Sequence, residues 1–88
     1  MKTLNLKLSL DTYNLLCDNG QLNPTYIKEI LFLDSNYENL PELSSPTVNY
    51  ALKVDNDFHL NLKRCALENE MTLAEISGRL FEKNYNRG

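Results

Sequence analysis

The chain has no tryptophan, one histidine, two cysteines and three glycines among its 88 residues. Each scarcity excludes something. With so few glycines, no glycine-rich phosphate loop can be assembled. The lone His59 has no partner at nucleophile or ligand spacing, and Cys17 and Cys65 stand far apart in sequence. A structural metal is therefore not expected, nor is any cofactor. The two thiols read as reduced core residues rather than a bridge. No enzyme motif is recognisable, and the carboxylates are spread over helix surfaces, so catalysis is not expected. Apolar runs are equally short. The longest, Ile30-Leu31-Phe32-Leu33, is far below a membrane span, and Asn5, Lys7 and Ser9 interrupt the first leucines where a signal core would lie. The expectation is a soluble cytoplasmic protein.

What remains reads as one small globular domain, 42% hydrophobic and 24% charged. A chain this short buries only about 60–65% of its unfolded surface, so two halves pooling their apolar faces would help it fold. The net charge is −3, carried by the residues up to Pro46; from Thr47 onward acids and bases balance at six each. An acidic chain argues against wholesale polyanion binding, and the second half is the better placed to approach one.

Thr3 to Ser9 alternates polar and apolar, the period of a half-buried strand, with Leu4, Leu6 and Leu8 on one face and Thr3, Asn5 and Lys7 on the other. A short helix follows, from about Leu10 to Asn19, with Asp11 or Thr12 as cap and Leu15 and Leu16 as its apolar side. Gly20 suits the left-handed residue beyond its end. Asn23-Pro24 then starts a helix whose apolar face is Tyr26, Ile27, Ile30, Leu31 and Leu33. Residues 34–46 read as a linker, of which Tyr37, Leu40 and Leu43 could dock. A second alternating strand, Asn49 to Asp55, presents Tyr50, Leu52 and Val54 inward. The next helix runs from about Asn56 to Asn69 on Phe58, Leu62, Cys65 and Ala66, and Thr72-Leu73-Ala74-Glu75 fits a capping box for the last one. That helix carries Leu73, Ile76, Leu80, Phe81 and Tyr85 inward.

The order of elements occurs twice. An offset of 46 lays Leu6 on Leu52, Lys7 on Lys53, Asp11 on Asp57 and Leu16 on Leu62. An offset of 49 lays Asn23 on Thr72, and Ile27, Leu31 and Phe32 on Ile76, Leu80 and Phe81. One strand and two helices cannot satisfy a strand's backbone or bury their own apolar faces, whereas two such units can. The expected fold is mainly α with a two-stranded antiparallel β-ribbon: a first half at 1–33, a linker at 34–46 and a second half at 47–88 sharing one core. The same pattern fits a homodimer that exchanges its halves.

Strand, capped amphipathic helix, turn and second capped helix resemble the ribbon–helix–helix superfamily of Arc- and MetJ-type repressors. The resemblance covers Asn49 to Asn84 without an obvious gap. From Thr3 to Leu33 it includes a shorter first helix. It implies a tandem ribbon–helix–helix chain, β-α-α-linker-β-α-α, that binds double-stranded DNA as a transcriptional repressor. The ribbon would enter the major groove, with Thr3, Asn5, Lys7, Asn49, Ala51 and Lys53 facing base edges. Free amides beginning at Asn23 and Thr72 would anchor phosphates. The resemblance also implies a further copy of the protein as a partner on DNA. The acidic net charge implies modest affinity that falls steeply with salt. The competing reading is a small acidic phage- or plasmid-encoded protein that binds and inhibits a host or phage protein, including by DNA mimicry. A positive outer face on the ribbon favours DNA; an acidic or apolar one favours a protein partner.

Overall fold

The computed structural model describes residues 1–87. It is a mixed α/β arrangement of one two-stranded antiparallel sheet and four helices. In chain order these are β1 (Lys2–Ser9), α1 (Leu10–Asp18), α2 (Pro24–Leu31), β2 (Thr47–Val54), α3 (Asn56–Glu68) and α4 (Leu73–Arg87). No helix among the described residues is long and apolar enough to cross a membrane.

The strands pair within one chain along their whole length, from Lys2 opposite Val54 to Ser9 opposite Thr47. Alternation then sorts the side chains. Leu4, Leu6 and Leu8 are fully buried, and Leu52 and Val54 nearly so. They meet Leu16, Ile27, Leu31, Leu62, Ala66, Ile76, Leu80 and Phe81 in a single core beneath the ribbon. The last helix is central to this packing, lying against β1, α2 and α3.

The local phase of the hydrogen bonds fixes which backbone groups point where. Leu10 N–H donates to the Pro46 carbonyl at 3.0 Å, which makes Ser9–Thr47 a non-hydrogen-bonded pair. By alternation, Leu8, Leu6 and Leu4 exchange bonds with Val48, Tyr50 and Leu52. The backbone groups of Thr3, Asn5, Lys7 and Ser9 point away from β2. At that outer edge α4 closes in: the Ser9 amide donates to Glu82 Oε2 at 2.8 Å, and the Ser9 hydroxyl to Oε1 at 3.2 Å.

This bond explains why α1 starts differently from expectation. Ser9, not Asp11 or Thr12, occupies the N-cap, and it makes no side-chain cap bond because its hydroxyl is turned to Glu82. The caps at Asn23 and Thr72 follow the sequence, and Asp55, read as the end of the second strand, caps α3. Asn23 Oδ1 accepts from Tyr26 N–H at 2.9 Å, Asp55 Oδ1 from Phe58 N–H at 2.8 Å, and Thr72 Oγ1 from Glu75 N–H at 3.1 Å. Only half of the expected capping box forms, since Glu75 pairs with Arg79 at 2.6 Å instead of reaching back to Thr72. Gly20 takes its left-handed place after α1, at φ +67°.

Three apolar assignments change. Leu15 faces solvent on α1, Leu33 lies beyond the end of α2 and is two-thirds exposed, and Cys17 is an exposed thiol rather than a core one. Cys65 is half-buried, and burial followed by the nearby Glu68 pushes its thiol pKa up. The intervening segment 34–46 is held down rather than free. Tyr37 and Leu40 pack on the core, and Lys83 Nζ donates to the Asn36 and Glu38 carbonyls. The buried Asn84 amide donates to the carbonyls of Ile30, Leu31 and Asp34.

Candidate nucleic-acid interface

With all four helices serving one core, the opposite face of the ribbon is left to solvent. Thr3, Asn5, Asn49, Ala51 and Lys53 are exposed there, and Lys7 is half-buried. The register brings all six together as consecutive cross-strand pairs: Thr3 with Lys53, Asn5 with Ala51, Lys7 with Asn49. All three are non-hydrogen-bonded pairs, in which side chains approach most closely. Lys53 Nζ accordingly donates to Thr3 Oγ1 at 2.9 Å. The two lysines sit four residues apart along the ribbon, about 13 Å, on opposite strands.

Charge is distributed very unevenly over the molecule. The two strands, eight residues each, contain Lys2, Lys7 and Lys53 and no carboxylate. In a chain of net charge −3 this leaves −6 on everything else. The exposed face is therefore a polar, positive strip on an otherwise acidic protein. Its chemistry is that of a hydrogen-bonding surface: lysine ammonium groups as donors, two asparagine amides as donor–acceptor pairs, a threonine hydroxyl and one methyl group.

The two helix starts named from sequence differ in their relation to the ribbon. Asn23 and Thr72 are both exposed N-caps whose side chains satisfy one amide each. Thr72 begins α4, the helix that packs directly on β1, whereas Asn23 begins α2, whose main neighbour is α4. A concavity lies away from the ribbon. It is lined by Tyr26, Ile30, Leu33 and Tyr85 together with polar residues of the α1–α2 turn and the end of α4, and contains no strand residue. No three His, Cys, Asp or Glu side chains among the described residues converge as a metal site would require.

Sequence patterning missed the contacts that cover the β1 edge of the ribbon, namely Ser9 with Glu82 and the approach of Gly78 to Lys7. Glu82 gives no signal in sequence, being one acid among twelve. Gly78, a glycine in the middle of a capped amphipathic helix, was the available hint of a close approach. Comparison with protein-family models, with curated proteins and with solved structures finds no match.

Proposed function

We propose that this chain is a tandem ribbon–helix–helix DNA-binding regulator, a repressor that lays its β-ribbon in the major groove. The observation that carries the reading is the ribbon's outer face. It holds six polar or small side chains in three adjacent cross-strand pairs, two of them lysines, with no carboxylate on either strand. Two strands about 4.8 Å apart fit a groove about 12 Å wide. Asparagine is suited to adenine, lysine to guanine, and the Ala51 methyl to a thymine methyl.

The register adds support. Asn5 and Ala51, the residues superposed by the 46-residue offset, lie opposite each other, so the ribbon's centre falls where a fused pseudo-dimer would place its two-fold axis. Around that centre Lys7 and Lys53 are related positions, while Asn5 and Ala51 differ, so the bound site is an imperfect palindrome. Phosphates would be gripped by the free amides at the starts of α4 and α2, beginning near Thr72 and Asn23.

A mobility-shift assay on the DNA flanking the protein's own gene, at two salt concentrations, tests the reading. Retardation at low salt is expected, weakened by K7A/K53A, with the log–log salt slope reduced by about 1.8 for two lost phosphate or base-edge cations. No retardation at low salt overturns the reading. Unchanged affinity in a folded double variant removes the ribbon from the interface.

A further inference from the structure

The two edges of the ribbon are treated differently. Along β1, α4 covers the outward backbone groups at Lys7 and Ser9, with Glu82 on the Ser9 amide and Gly78 against the Lys7 carbonyl, and leaves those of Thr3 and Asn5 without a hydrogen bond from any described residue. Along β2, the outward N–H and C=O groups of Asn49, Ala51 and Lys53 take no hydrogen bond from any described residue. The reason lies in α2, the helix in the corresponding place. At the 49-residue offset, Gly78 and Glu82 correspond to Glu29 and Leu33. Glu29 has a side chain where close approach needs none, and Leu33 lies past the end of the helix with no acceptor to offer. The inner face repeats the difference: Leu6 and Leu8 are sealed, whereas Tyr50 and Val48 opposite them are only half-buried.

We infer that the free edge of β2 pairs antiparallel with β2 of a second copy of this chain, extending the ribbon into a four-stranded sheet in the order β1-β2-β2-β1. The edge suits this occupant. Its eight residues contain no proline and no bulge, two of the features that keep an edge unpaired, and Lys53 is its one charged side chain. Two-fold pairing centred on Tyr50 sets Asn49 opposite Ala51 and Thr47 opposite Lys53, so no like charges oppose. The two Lys53 side chains lie six residues apart along the ladder, about 20 Å, well beyond the screening length at physiological salt. Tyr50 faces Tyr50 of the other copy as a non-hydrogen-bonded pair, where aromatic side chains cover one another best. Both half-buried residues, Val48 and Tyr50, are closed over by the same contact, and the new ladder continues the sheet that β1 and β2 already form. Four strands at about 4.8 Å spacing are wider than the groove of about 12 Å that admits two, so the paired sheet is the DNA-free form of the protein and is tested without DNA.

Sedimentation of the full chain without DNA, up to millimolar protein, tests it alongside amide hydrogen exchange at low and high concentration. The mass should double from 10.2 kDa as concentration rises. Over the same range the amides of Asn49, Ala51 and Lys53 should become protected. Ala51→Pro removes an outward N–H without touching the β1–β2 ladder, so it should abolish the doubling while leaving the far-ultraviolet spectrum intact. A monomer at every concentration, with those three amides exchanging freely, overturns the inference. So does a dimer that persists in folded A51P. Should A51P fail to fold, the concentration dependence of exchange in the unaltered protein decides alone.

Discussion

A Cβ atom built on Gly78 would lie 1.8 Å from the carbonyl oxygen of Lys7 and 2.7 Å from its carbonyl carbon. No side chain fits there, because the obstructing atoms are backbone on both sides. The α4 helix can therefore run along the β1 edge only with glycine at this position, although glycine in mid-helix costs about 1 kcal/mol relative to alanine. Helix propensity and packing thus make opposite forecasts for Gly78→Ala. Packing should win, with a loss of about 3 kcal/mol or more read from the urea midpoint. A midpoint that rises would mean α4 does not approach β1 this closely.

Glu82 is 6% exposed and accepts both the Ser9 amide and the Ser9 hydroxyl. The hydroxyl in turn accepts from Ser44 N–H at 2.9 Å, so one carboxylate organises the end of β1 and the entry to β2. Glu82→Ala strands a buried amide and should cost about 2–3 kcal/mol. Ser9→Ala removes only the hydroxyl bonds and should cost about 1 kcal/mol. Equal melting temperatures for the two variants would contradict this ranking.

Asn84 is 2% exposed and donates to three carbonyls at and beyond the end of α2. Those carbonyls have no further helical turn to receive them, so the amide serves as a cap supplied from another helix. Asn84→Ala should destabilise the protein by about 2 kcal/mol and speed amide exchange in residues 34–46 more than in β1. Uniform acceleration across the chain would assign Asn84 to global stability alone.

Tyr37, Tyr50 and Cys65 all titrate above their ordinary values. Burial is the larger cause in each case, followed by Cys65 for Tyr37, Tyr13 for Tyr50 and Glu68 for Cys65. The folded state therefore holds these protons longer than the unfolded chain does. Stability from these groups is complete below the unfolded thiol value of about 8.5 and is lost as pH rises through the folded values. Denaturant midpoints measured from pH 7 to 11 should fall, and the fall should be shallower in Tyr37→Phe. A flat profile would show that the three groups are equally solvated in both states.

Much of the architecture is legible from local pattern. Strict alternation at Leu4, Leu6 and Leu8 and at Leu52 and Val54 gives both strands and their buried faces, and the outward row with them. Asn23-Pro24 and Thr72 mark helix starts through side chains that meet free amides one turn on. In two places a distant group overrode the local pattern. Ser9 displaced Asp11 and Thr12 as the cap of α1 because Glu82 lies beside it. Segment 34–46 was readable as polar and proline-bearing, yet it is tied to α4 by Lys83 and Asn84. The exposed Leu15 and Cys17 show the limit of periodicity on a helix of only nine residues, where the apolar arc is poorly defined.

The sequence by itself determined which residues form strands and helices and which strand side chains turn outward, because those choices follow from the repeat distances of the backbone and from contacts within a few residues. Tertiary structure alone decided that α4 covers one edge of the ribbon and that the other stays open. Edge contacts are made by N–H and C=O groups that nearly every residue carries, so no pattern of side chains announces which of them another helix will reach.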